Sequence, residues 1–246
     1  MKRYGADMQR WGKVFFTVLC CVLVTACSAP VPFKQYPPQP MPEMSAQQLL
    51  DNCWLTTGHR YLCRHSGLLE VFTRKVPLEG VVKVDTTENS ARLVAMDSMG
   101  VKLFDISVSR DDFQLNYLLP VLEEHRQLPQ MVAKSVQHIF LAPYPQAADQ
   151  LEYTGNGYWL RSRETGASFN FIGAPVRLNT KVVHSAEQQW QATYYQYKDF
   201  AGSAADTPVN SGEINPLGLW APTGIVLDDN SGFRLTLWIQ EIRELQ

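Results

Sequence analysis

Three features of the sequence predict a mainly antiparallel β domain that carries a little helix. Apolar and polar residues alternate through short runs at Leu68–Val76, Val81–Asp85, Ala91–Met96, Val101–Ser109 and Phe113–Leu119. Tight breaks part these runs: Pro77 with Gly80, Thr86–Ser90, Asp97–Gly100 and Arg110–Asp112. Period-two alternation between short polar breaks is the pattern of strands that bury one face and turn straight back. The third feature is one stretch at helical spacing, with Leu128, Met131, Val132, Ser135, Val136 and Ile139 recurring on one side before Pro143 and Pro145 stop it.

In chain order, Ser45-Ala46-Gln47-Gln48 reads as a capping box opening a short helix through about Asn52. Within Val101–Val108, one face carries Phe104, Ile106 and Val108 and the other Leu103 and Asp105, so this strand buries one side. A second strand-rich half follows the helix, at Gly157–Arg163, Ser168–Ile172, Trp190–Phe200 and Phe233–Ile242. Gly202–Gly218 is a polar stretch rich in Gly, Asn and Pro and is expected as an exposed loop. There is no internal repeat.

The N-terminus has its own logic. Lys2, Arg3, Arg10 and Lys13 precede an apolar run of 11 residues from Val14 to Val24. That is the layout of a secretory signal, and the run is too short for the roughly 20 residues that cross a bilayer. It closes on Leu23-Val24-Thr25-Ala26-Cys27, which resembles the lipobox of bacterial lipoproteins. The resemblance implies that Cys27 is diacylated and becomes residue one, with two or three acyl chains holding the protein at the membrane. In the sorting rule of that class, aspartate after the cysteine retains the protein at the inner membrane. Ser28 therefore implies the periplasmic face of the outer membrane in a Gram-negative bacterium. The expected organisation is a signal at 1–26, a lipidated Cys27 with a proline-rich, extended tether to residue 44, and a single domain over 45–246.

Of the 22 basic and 24 acidic side chains, four and one fall in the signal, leaving 18 and 23 and a formal charge near −5. A nucleic-acid partner would call for a basic face, so none is expected. After processing, Cys53 and Cys63 remain as a pair close in sequence. In an oxidising compartment they are expected to form a disulfide, stabilising by about 2–3 kcal/mol. A metal site with His59 and His65 is the rival, and its spacing matches no standard zinc pattern.

The sequence carries no nucleophile elbow, no His-Glu-x-x-His, no phosphate-cradling loop and no dinucleotide fingerprint. His59, His65, His125, His138 and His184 are scattered. His65 with Asp97 is the nearest thing to a catalytic pair, and no spacing supports it. The expectation is a non-enzymatic protein without a cofactor or metal. Tyr153, Tyr158, Trp159, Trp190, Tyr194, Tyr195, Tyr197, Trp220 and Trp238 crowd the second half. They either line a ligand pocket or are ordinary strand aromatics.

The stretch from Ala91 to Val108, with its tip Asp97-Ser98-Met99-Gly100, resembles the central hairpin of the LolA/LolB superfamily, the carrier and outer-membrane receptor for bacterial lipoproteins. Over about Gly67 to Ile242 the chain is similar to a LolB-like lipoprotein family often encoded among aryl-polyene and fatty-acid-like biosynthesis genes. Its C-terminal half shares the proline-then-strand element, here Pro222–Asp228 followed by Phe233–Leu237. The resemblance implies a curved, unclosed antiparallel β-barrel with helices covering the open side and an apolar cavity for acyl chains. It implies that Met99, at the position of the receptor's exposed apolar tip, either inserts into the membrane or folds back onto the sheet. Alternation then selects Val94, Met96, Phe104, Ile106, Leu235, Leu237 and Ile239 as cavity lining, or as plain core if the barrel is packed shut. The expected partners are the membrane through lipidated Cys27, an acyl chain or lipidated cargo, and an envelope protein if the chain acts instead as a scaffold. The Cys53/Cys63 pair and the 202–218 insertion depart from the family pattern.

Overall fold

The computed structural model describes residues 31–37, 39–71, 74–125, 127–184, 189–200, 219–229 and 232–245. The lipobox with Cys27 and the Gly202–Gly218 insertion lie outside the described residues. Helix α1 (Ala46–Leu50) leads into strands β1 (Arg60–Val71), β2 (Arg74–Asp85), β3 (Ser90–Met96), β4 (Lys102–Ser109) and β5 (Phe113–Leu118). A 3-10 turn at Pro120–Leu122 then precedes helix α2 (Leu128–Phe140). Strands β6 (Gln150–Tyr153), β7 (Tyr158–Arg161), β8 (Ala167–Ile172), β9 (Arg177–His184), β10 (Gln189–Asp199), β11 (Trp220–Asp229) and β12 (Phe233–Leu245) complete the chain.

The strands make one 12-stranded antiparallel sheet in the order β5-β4-β3-β2-β1-β12-β11-β10-β9-β8-β7-β6. Every neighbour pair is a sequential hairpin except β1 with β12, which stitches the two meanders together. β5 and β6 are left as edges, so the sheet is not closed, and the chain passes from one edge to the other through α2. The sheet must curl to hold that helix. Strands lie about 4.8 Å apart, so β4 and β10, six places apart, would be about 29 Å apart if the sheet were flat. A helix with its side chains is only about 10–12 Å across, yet α2 packs on both β4 and β10.

Local sequence explains each piece. Ser45 caps α1 with the reciprocal box, its side chain accepting from Gln48 N and its own N–H donating to the Gln48 side chain. In α2, Pro129 sits in the first turn, where its missing donor costs nothing, and Val132, Ala133, Val136, Ile139 and Phe140 form the buried stripe. Ser135 faces the interior too, its hydroxyl satisfied by Met131 O at 2.8 Å. Asp105, on the convex face, is nearly buried and takes a bidentate contact from Arg92, at 2.9 and 2.8 Å.

Two expectations need correction here. The run Leu68–Val76 is not one strand: it is divided between β1 and β2, with Val71 paired to Arg74, and Pro77 and Gly80 are inside β2. Pro77 is tolerated because β3 ends at Met96 opposite Glu79, leaving β2 without a neighbour on that side at Pro77. Gly80 stands opposite His65, and a Cβ there would lie 2.9 Å from the His65 Nε2. What reads as a break is a seat for an imidazole.

The second correction concerns the tether. The compact unit begins at Phe33, ahead of Ser45. The Phe33 ring is buried on the convex face, stacked on Tyr195 at 5.2 Å and against Trp238 at 5.8 Å. It lies so close over Gly224 that a Cβ there would be 2.4 Å from the ring. Further along, the Tyr36 hydroxyl accepts from Tyr197 N at 3.0 Å, and the Tyr158 hydroxyl donates to Pro42 O at 2.7 Å. Prolines make the segment extended, but its two aromatics have a surface to bury against. Phe33→Ala should lower unfolding free energy by about 3 kcal/mol. Gly224→Ile should do so by dislodging the same ring, and the double variant should cost much less than the sum; urea titration of all three checks this.

Candidate functional site

The concave face of the sheet and the buried stripe of α2 enclose the interior. On one side of the helix, His65, Leu69, Leu93, Phe104, Leu235 and Leu237 face Val132, Val136, Ile139 and Phe140 across a void of about 20 Å³. On the other side, Trp54, Tyr144, Phe169, Lys181 and Tyr194 surround a second void of about 20 Å³. Each holds at most a water or two. Ile139 belongs to the walls of both.

In and beside this apolar interior four titratable groups stand out. His65 is 3% exposed and its Nδ1 has no partner among the described residues. Burial pushes it down to about 4, so it is neutral. His138 stacks on Trp190 at 4.1 Å with planes 10° apart and is likewise pushed down to about 4, by burial first and then by the nearby Lys181 charge. Lys181 is buried on β9, its Nζ donating to Leu141 O at 2.6 Å and lying 5.5 Å from the Trp190 ring and 5.8 Å from the Tyr144 ring. Burial pushes its ammonium down to about 7. Tyr194 donates to Ile139 O at 3.3 Å, and burial pushes its phenol far up.

Of the expected lining residues, Phe104, Leu235 and Leu237 wall the first void, and Ile106 and Ile239 are buried. Val94 and Met96 do not belong: they lie half-buried on the convex face, while Ala91, Leu93 and Ala95 point inward. The reason is the register. Val94 stands opposite Asp105 and Ala95 opposite Phe104, so Val94 is on the side shared with a carboxylate.

The expected disulfide is also corrected, since Cys53 and Cys63 are free thiols. Cys63 is fixed by strand register between Val82 and Ile242, whereas the Cys53 sulfur contacts Leu49 O at 3.8 Å in the turn after α1. Burial pushes both thiols up to about 12. Met99, by contrast, is 86% exposed at the β3–β4 tip. Asp97 Oδ1 accepts from Met99 N and Val101 N at 2.8 and 2.9 Å, so the tip is held by its own backbone while the side chain stands free of the sheet. Val101 and Val121 are exposed at the same end.

Among the crowded aromatics, Tyr158, Trp190, Tyr194 and Tyr195 are buried, and Tyr153 and Trp220 are exposed. Strand β9 escapes sequence reading altogether, and with it Lys181. A lysine inside Thr180-Lys181-Val182-Val183 is the one signal that could have pointed to it.

No protein-family model matches the sequence, and no curated protein matches it. Solved structures do. A domain from Vibrio parahaemolyticus designated an outer membrane lipoprotein-sorting protein aligns with TM-score 0.50 at 10% identity, over 82% of this chain and 91% of that chain. A LolA superfamily protein from Nitrosomonas europaea aligns with TM-score 0.49 at 11% identity, over 83% and 96%. At such identity the likeness is one of fold. The chain shares the fold of the Vibrio domain, here an antiparallel sheet curled around a helix and left open between two edge strands.

Proposed function

We propose that this protein is a non-catalytic, outer-membrane-anchored lipoprotein facing the periplasm, which binds acyl chains inside its open barrel as a carrier or receptor for lipidated molecules. The observation that carries this reading is how α2 fills the interior. Among the described residues, the polar ties from the helix region to the sheet and its loops gather at its C-terminal end. They run from Gln137 to Ser109 O, from Tyr194 to Ile139 O, from Lys181 to Leu141 O and from Ala142 N to Asn89. The turns from Leu128 to Val136 meet the sheet through apolar side chains. An acyl chain offers the same kind of contact, at about 25 cal/mol per Å² of apolar surface buried. A helix pinned at one end can therefore give way to a chain while the sheet spreads at its free edges.

Anchoring falls to lipidated Cys27, and contact with the donor or acceptor membrane to the Met99 tip. The first test is native mass spectrometry with lipid extraction on the Cys27→Ala chain purified from the periplasm. A near-stoichiometric acyl species supports the carrier. A protein that is empty and takes up no added fatty acid rejects it and favours an interaction scaffold. Met99→Glu should abolish association of the Cys27→Ala chain with phospholipid vesicles, read by co-sedimentation, and leave its denaturation midpoint unchanged. Association undiminished by the charge would remove the tip from the mechanism.

A further inference from the structure

Lys181 is aimed inward by a device in the backbone. Phe171 pairs with Leu178 and Asn170 with Thr180, so Asn179 is an extra residue in β9. A bulge of this kind shifts the alternation of everything after it. Leu178 points into the barrel, and without the bulge Thr180 and Val182 would follow it while Lys181 faced out. With the bulge, Lys181 lies in the second void beside Trp54, Tyr144 and Tyr194.

The charge it brings there has no carboxylate to meet among the described residues. One of its N–H groups goes to Leu141 O, and the aromatic faces of Trp190 and Tyr144 flank it. A buried amine with donors to spare, in a void that shares Ile139 as a wall with an apolar one, has the shape of half an ion pair.

We propose that Lys181 is the headgroup anchor of the interior site and that the ligand class is a single-chain amphiphile bearing a carboxylate, its acid group on Lys181 and its chain along the space that α2 now fills. This rests on the acyl-binding reading and narrows it: a neutral acylated cargo would leave the lysine unpaired. Pairing would also restore the proton that burial drives off. The other titratable groups lining the void, Cys53, Tyr144 and Tyr194, are all pushed up by burial, and His138, close enough to feel the Lys181 charge, is pushed down to about 4. None of them exchanges protons near pH 8.

The experiment compares dodecanoate with dodecanol on the whole Cys27→Ala chain, by displacement of N-phenyl-1-naphthylamine. The wild-type side chain should favour the acid at least tenfold. Lys181→Met should erase that preference and keep the affinity for the alcohol. In the protein with Lys181 intact, calorimetry at pH 8 in buffers of differing ionisation enthalpy should show proton uptake with dodecanoate and none with dodecanol. Equal affinity for acid and alcohol overturns the anchor alone and leaves Lys181 as a pin for α2. A preference that survives Lys181→Met does the same. Failure of both amphiphiles to bind overturns the acyl reading and the anchor with it.

Discussion

Lowering the pH from 6.5 to 4 should cost the fold about 3 kcal/mol through His65 alone, at about 1.4 kcal/mol per pH unit. The sign follows from burial. The folded imidazole titrates at about 4 against an ordinary 6.5, so within that window the unfolded chain binds a proton that the folded chain refuses. Stability is complete above 6.5, declines toward 4 and levels off below. His138 is shifted the same way and steepens the same limb. Asp105, held below the usual carboxylate range by Arg92, loses its contribution only at pH values under about 4. Urea titrations at pH 4, 5, 6 and 7 on the wild type and His65→Leu check this. The variant should show a limb shallower by about 3 kcal/mol; an equally steep limb would move the acid sensitivity to other groups.

Phe140→Ala should destabilise by about 3–5 kcal/mol and at the same time improve uptake of an apolar probe. Phe140 is 2% exposed, meets Trp54 edge-on at 5.8 Å and walls the void beside His65. Truncation leaves a larger apolar cavity, and such cavities stay dry and accept hydrocarbons. Added N-phenyl-1-naphthylamine should therefore recover part of the lost stability by mass action. The decisive comparison is the rise in melting temperature with probe, in variant and wild type. A loss of stability that the probe does not relieve would mean that the interior is ordinary core.

Much of the fold could be read from the sequence because it is a meander. In β3, β4, β5, β8, β10 and β12 the alternation and the turn residues are local properties. The box at Ser45 and the stripe on α2 are local too, and all of them lie close to where they are read. Reading failed where a residue's role depends on something distant. Arg60–Gly67 was missed because its alternation carries Arg64 and a histidine that only Gly80, across the hairpin, makes room for. The exposed edge strand β6 buries no face and so shows no pattern. β9 was missed because the bulge at Asn179 and the inward lysine break period two. Gly224 with Phe33 joins residues that no local pattern could connect.

By itself the sequence determined the class of the domain and its net acidic composition, since alternation, charge count and turn chemistry act within a few residues; that Met99 stands exposed rather than folded back came from the structure. The tertiary structure alone decided which face is the inside, that α2 occupies it, that Cys53 and Cys63 are free thiols, and that Lys181 and His65 are buried. Those outcomes depend on register and curl. Register sends a whole strand to one face or the other on the placement of a single extra residue, and curl brings strands six places apart onto the same helix.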